Sequence, residues 1–131
     1  MIPQSRTVDL KTDGILKHQV GHITYSIYTC KDANGNLTPQ TRVEARAYRD
    51  ALAWFNSVTF QAPTYNVVDT SPTARTTDVT VPFTYCYGPS PWQIGGICQD
   101  TEVKATVTAT PSGEPYIFAQ SQDPAFATYN E

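Results

Sequence analysis

Charged side chains are scarce in this chain of 131 residues: Asp, Glu, Lys and Arg make up 16% of it, and the formal net charge is -3. That balance excludes a protein coated in cations for binding nucleic acid, although a local contact needs only a few well-placed bases. Long apolar runs are missing too, so no segment reads as a membrane span. Histidine stops at His22, and cysteine is limited to Cys30, Cys86 and Cys98, with no Cys-x-x-Cys pair. These gaps remove the usual zinc ligand sets. The opening residues, Met1-Ile2-Pro3-Gln4-Ser5-Arg6, lack the charged-then-apolar pattern of a secretion leader. The expectation is a cytoplasmic protein, or one whose leader has been removed. Neither an internal repeat nor a low-complexity tract is present.

What the chain does contain points to short strands. Hydrophobic residues reach 40%, enough for a core, and ten prolines and seven glycines punctuate the sequence often. Threonine supplies much of the uncharged polarity, and its branched side chain favours extended backbone. The length fits one domain over residues 1–131. Residues 123–131 read as an extended C-terminal tail carrying Phe126 and Tyr129.

Period-2 alternation marks Arg6 to Leu10, His22 to Cys30, Val79 to Tyr87, Glu102 to Ala109 and Tyr116 to Gln120 as strands. Pro82 cannot donate to a ladder, so its strand should lie at a sheet edge or carry a bulge. Between Thr38 and Asn56 the period changes. Thr38 suits an N-cap and Pro39 a first helical position, while Val43, Ala47, Tyr48, Ala51, Leu52 and Phe55 share one helical face. Thr41 and Glu44 offer an alternative capping box three residues later. The expected fold class is therefore α+β, a predominantly antiparallel sheet with one amphipathic helix over Thr38–Asn56.

Candidate sites are few. His18-Gln19-Val20-Gly21-His22 has the histidine spacing of a zinc protease helix, but Gln19 stands where the catalytic acid belongs. The strand–helix–strand order around it resembles the N-terminal part of secreted zinc metalloproteases, and the absence of any later histidine excludes an active member of that family. Asp32-Ala33-Asn34-Gly35-Asn36 opens like a calcium loop, yet Leu37 and Val43 occupy the glycine and bidentate-acid positions. A turn explains it better. With no nucleophile set, phosphate loop or metal set, the expectation is a protein without enzyme activity and without a cofactor.

Three contact surfaces remain. Arg42, Arg46 and Arg49 form a stripe on the expected helix, suited to an anion or a subunit contact or else simply solvated. Lys104, Thr106 and Thr108 line the polar face of a late strand, a composition that can hold RNA. Cys86 and Cys98 flank the loop from Tyr87 to Ile97 and can bridge within or between chains, or stay reduced as small hydrophobes. Trp92 is the one aromatic of that loop placed to protrude.

Small size, a sheet with a helix, and a cysteine-bracketed loop make the chain similar to the coat proteins of small RNA bacteriophages. It departs from them in placing its helix before most strands. The resemblance implies a self-assembling subunit of a virion that forms homodimers building into a larger assembly, contacts single-stranded RNA, and is assembled in the host cytoplasm. The alternatives are another virion component, such as a decoration or tail protein, and a non-catalytic module that binds sugar or protein through exposed aromatic rings.

Overall fold

Valine, threonine and tyrosine in alternation build strands along most of the chain. The computed structural model describes residues 3–12, 19–50, 56–87 and 97–130. They form β1 (Gln4–Thr12), β2 (Gln19–Tyr28), β3 (Arg42–Arg49), β4 (Asn56–Phe60), β5 (Thr64–Thr70), β6 (Arg75–Tyr87), β7 (Ile97–Ala109), β8 (Tyr116–Ser121) and β9 (Phe126–Asn130). Four strands make one antiparallel sheet in the order β3-β2-β1-β9. The second sheet runs β4-β6-β7-β8, and β5 continues the β4 edge along the first half of β6.

The two inner faces pack together as a sandwich. Val8, Ile23, Tyr25 and Val43 from the first sheet join Val79, Val81, Phe83 and Val103 from the second in one buried cluster. Side-chain hydroxyls tie the sheets at both flanks. The Tyr65 hydroxyl on β5 accepts the Ala45 N–H of β3 at 2.8 Å, and Thr128 Oγ1 on β9 donates to the Ala119 carbonyl of β8 at 2.8 Å. Each tie satisfies a backbone group on an edge strand, where unpaired groups otherwise invite foreign strands.

No helix occurs among the described residues, and the α+β expectation is overturned: the protein is all-β. Residues 42–49 of the expected helix form β3, paired antiparallel with β2 from Gly21↔Arg49 to Tyr28↔Arg42. Val43 and Ala45 are buried and Ala47 packs against the core, while Arg42, Glu44, Arg46 and Tyr48 face outward. The same residues satisfy a period of 2 over eight positions and a helical period over the longer span; a short apolar pattern cannot separate the two. What decides is the open flank of β2, whose backbone groups need a partner. Thr41, read as a helix cap, is buried instead. Its hydroxyl donates to the Cys30 carbonyl and accepts the Cys30 N–H, both at 3.1 Å, closing the β2–β3 connection. Ala51, Leu52, Trp54 and Phe55 lie outside the described residues.

Other expectations change more gently. The strand holding Pro82 is central, with β7 on one side and the β4–β5 edge on the other. The proline is accommodated because its edge neighbour breaks opposite it: β4 ends at Phe60, β5 resumes at Thr64, and Gln61 N–H donates to the Pro82 carbonyl at 2.9 Å. The ring's missing N–H thus faces the interruption. The segment read as a tail contains β9, which pairs with β1 and buries Phe126. The calcium-like sequence is a turn, in which Asp32 Oδ1 accepts the N–H groups of Asn34 and Asn36 at 2.9 Å and Gly35 takes a positive φ of 82°. Gly21 is required by space, since a Cβ there would sit 2.7 Å from both the Phe60 ring and the Tyr48 carbonyl.

Tyr25 makes a testable feature of the core. It is fully buried, and its hydroxyl has no hydrogen-bond partner among the described residues. Burial, with a smaller push from the neighbouring Tyr65, raises its phenol well above the ordinary 10.0. Tyr25→Phe is therefore expected to stabilise the fold by about 1–3 kcal/mol at neutral pH, by removing an unsatisfied buried group. Above pH 10 the unfolded chain ionises this tyrosine while the folded chain keeps it protonated. Stability from Tyr25 is thus full below that pH and is lost as pH rises beyond it, by up to about 1.4 kcal/mol per unit. Urea titrations of both proteins at neutral and alkaline pH check this: the gap between them should widen above pH 10, and a constant gap would contradict the assignment.

Candidate functional site

The outward positions of β6, β7 and β8 form one continuous surface. Cross-strand register aligns Asp78, Thr106 and Phe118 in one row, Thr80, Lys104 and Gln120 in the next, and Thr76, Thr108 and Tyr116 in a third. Asn66 of β5 extends the first row and Thr64 the second. A shallow cleft of about 430 Å³ lies over this grid, lined by Asn66, Asp78, Lys104, Thr106, Phe118 and Gln120 among others. Its floor is preorganised by hydroxyl contacts between strands. Thr106 Oγ1 donates to Asp78 Oδ1 at 3.4 Å, and in the row beside the cleft the Thr76 and Thr108 hydroxyls meet at 3.2 Å.

Two aromatic rings define the face. Phe118 is 70% exposed and Tyr116 is 68% exposed, two residues apart on the same side of an edge strand. The opposite side of β8 offers the core only Ile117 and Ala119. Large rings outside and small residues inside reverse the usual arrangement, which is why alternation alone did not single them out. An exposed ring pair of this kind is the ordinary mark of a contact surface.

The sequence had pointed to Lys104, Thr106 and Thr108, and all three do stand on this face. The electrostatics there are acidic. Asp78, Asp100 and Glu102 share the outward side with Lys104, and the Lys104 Nζ lies 3.4 Å from Glu102 Oε1. A single cation already held by an acid draws little on distant phosphates.

The arginine stripe is dispersed by its strand setting. Arg42 and Arg46 project from the outer face of the other sheet, whereas Arg49 belongs to the opposite side of β3 at its end. Arg42 lies 4.3 Å over the Tyr28 ring and 3.5 Å from Glu44, while Arg46 is exposed. On the same sheet His22 stacks on Tyr48, and its Nδ1 meets Asp50 Oδ1 at 3.0 Å. Gln19 Nε2 donates to Asp50 at 2.8 Å and to Asp9 at 3.3 Å. These contacts join β1, β2 and the residue that follows β3.

Cys86 and Cys98 stand opposite one another across β6 and β7 and are disulfide-bonded within the chain. Cys30 is not part of that bridge. Tyr85 packs edge-on against Phe126 on the core side. His18 and Trp92 lie outside the described residues. No group of His, Cys, Asp and Glu among the described residues could hold a metal ion. Nor is any helix among them long and apolar enough to cross a membrane. Compared with known proteins, the chain matches no family model, no curated protein and no solved structure.

Proposed function

We propose that this protein is a self-assembling structural subunit, a coat component of a virus particle, that packs against copies of itself through the outer face of its five-stranded sheet. The observation that carries the reading is the exposed pair Tyr116 and Phe118 beside a grid of threonine, asparagine and glutamine that also holds Asp78 and Lys104. Exposed apolar rings suit the water-excluding centre of an interface. Sheet rigidity favours the same use, because a surface held by cross-strand pairs loses little entropy on docking.

A second reading places single-stranded RNA on this face. It is favoured by the register, which sets Phe118 beside Thr106 and Tyr116 beside Thr108, so that rings for stacking bases adjoin hydroxyls for phosphates. The three acids of the face weigh against it, and assembly is the main proposal.

Expressed alone, the protein is expected to form dimers or particles in gel filtration and electron micrographs. Replacing both Tyr116 and Phe118 by serine should leave a folded monomer with unchanged circular dichroism. A wild-type monomer at micromolar concentration would sink the proposal. Nuclease-protected nucleic acid in the particles, lost in the same double variant, would favour the RNA reading of this surface.

A further inference from the structure

At one end of the sandwich the β2–β3 connection crosses over the β5–β6 hairpin, and the Leu37 N–H fixes it there by donating to the Pro72 carbonyl at 2.8 Å. A cleft of about 430 Å³ opens between these two segments. Leu37, Pro39 and Pro72 supply apolar walls, Thr38 and Thr70 supply hydroxyl-bearing side chains, and Arg75 supplies the cation. Arg75 is the first residue of β6, and it shares the inward side of that strand with the buried Thr77 and Val79. Its Nε is buried with no hydrogen-bond partner among the described residues, and none of the ion pairs between them includes it.

A buried Nε–H without a partner costs solvation, and an anion arriving at the cleft beside this half-buried arginine would recover it. The planar donor fork of arginine matches a carboxylate in two-point contact. Because Arg75 is the single cation lining the cleft among the described residues, a monoanion balances it and a dianionic phosphate does not. The walls select in the same direction, since proline rings and a leucine side chain favour a ligand with an apolar body. We propose that this cleft binds a small monocarboxylate, its carboxylate on Arg75 and its hydrocarbon portion between Leu37, Pro39 and Pro72. The proposal stands apart from the assembly reading, since the cleft lies where the β2–β3 connection meets the β5–β6 hairpin and not on the outer sheet face.

The test is an amide-resolved NMR titration of the full chain with acetate, butyrate and hexanoate, and with inorganic phosphate as a separate arm at matched ionic strength. Saturable shifts at Leu37, Thr38, Thr70 and Ser71 are expected with hexanoate, with affinity rising up to about fourfold for each added methylene. Arg75→Met should abolish those shifts while melting at the same temperature as the wild type or higher, because it removes a buried N–H that has no partner among the described residues. Leu37→Ser, a second variant at the wall, should weaken hexanoate more than acetate. The proposal is overturned if no carboxylate saturates these amides, if the shifts survive Arg75→Met, or if phosphate saturates them where hexanoate does not. A marked loss of melting temperature in Arg75→Met would also overturn it, by making the guanidinium a structural group.

Discussion

Phe83→Ala is expected to lower the unfolding free energy by about 3–5 kcal/mol, the cost of an aromatic side chain removed from a packed core. Phe83 is fully buried on β6 and lies 5.6 Å from the Phe60 ring and 5.3 Å, edge-on, from that of Phe126. Phe126 belongs to β9 of the opposite sheet, so the ring cluster fastens the two layers to each other and not only β6 to its neighbours. Denaturant titration measures the effect, with Phe118→Ala as the comparison. That ring is 70% exposed, and its loss should change monomer stability by less than about 0.5 kcal/mol. Equal costs at the two positions would mean that the inner and outer faces of the second sheet have been exchanged.

Loss of the Cys86–Cys98 bridge is expected to cost about 3 kcal/mol. The two cysteines are 12 positions apart, so the bond closes a short loop and shortens the list of conformations open to the unfolded chain. It also pins the distal end of the longest hairpin, where β6 and β7 keep register over thirteen residues each. The double replacement of Cys86 and Cys98 by serine should melt lower than the oxidised wild type, and reductant should shift the wild type but not the variant. Non-reducing gels should show a single-chain band, and the denatured, unreduced protein should titrate one thiol, that of Cys30. An interchain band, or melting indifferent to reductant, would refute the bridge within one chain.

Much of the β structure was legible in the sequence because burial on one face imposes a period of 2. Ile23, Tyr25 and Ile27 on β2, and Val103, Ala105 and Val107 on β7, alternate with polar residues and are buried as that pattern requires. The helix over Thr38–Asn56 failed for a physical reason visible in its residues. Ala45 and Ala47 are small enough to serve either period, and the helix formers around them carry no memory of which neighbour they will meet. Only the vacant flank of β2 selects the strand. On the candidate face, alternation on β7 put Lys104, Thr106 and Thr108 on the outward side, whereas Phe118 and Tyr116 went unremarked because large rings on a strand normally point inward.

By itself the sequence determined the local ingredients: a low charge, a strand-forming composition, the inward and outward sides of most strands, and a cysteine pair flanking one loop. Alternation is a property of a single strand, so it needs no partner to be read. The tertiary structure decided everything that depends on which strands meet. It made Arg42–Arg49 a strand, and set Pro82 opposite a break in its neighbour. It also drew residues 126–130 into the first sheet as β9 and placed Arg75 at a cleft roofed by the β2–β3 connection. Backbone hydrogen bonds between strands far apart in the chain are satisfied collectively, and that collective constraint overrides the weak preference of any one segment.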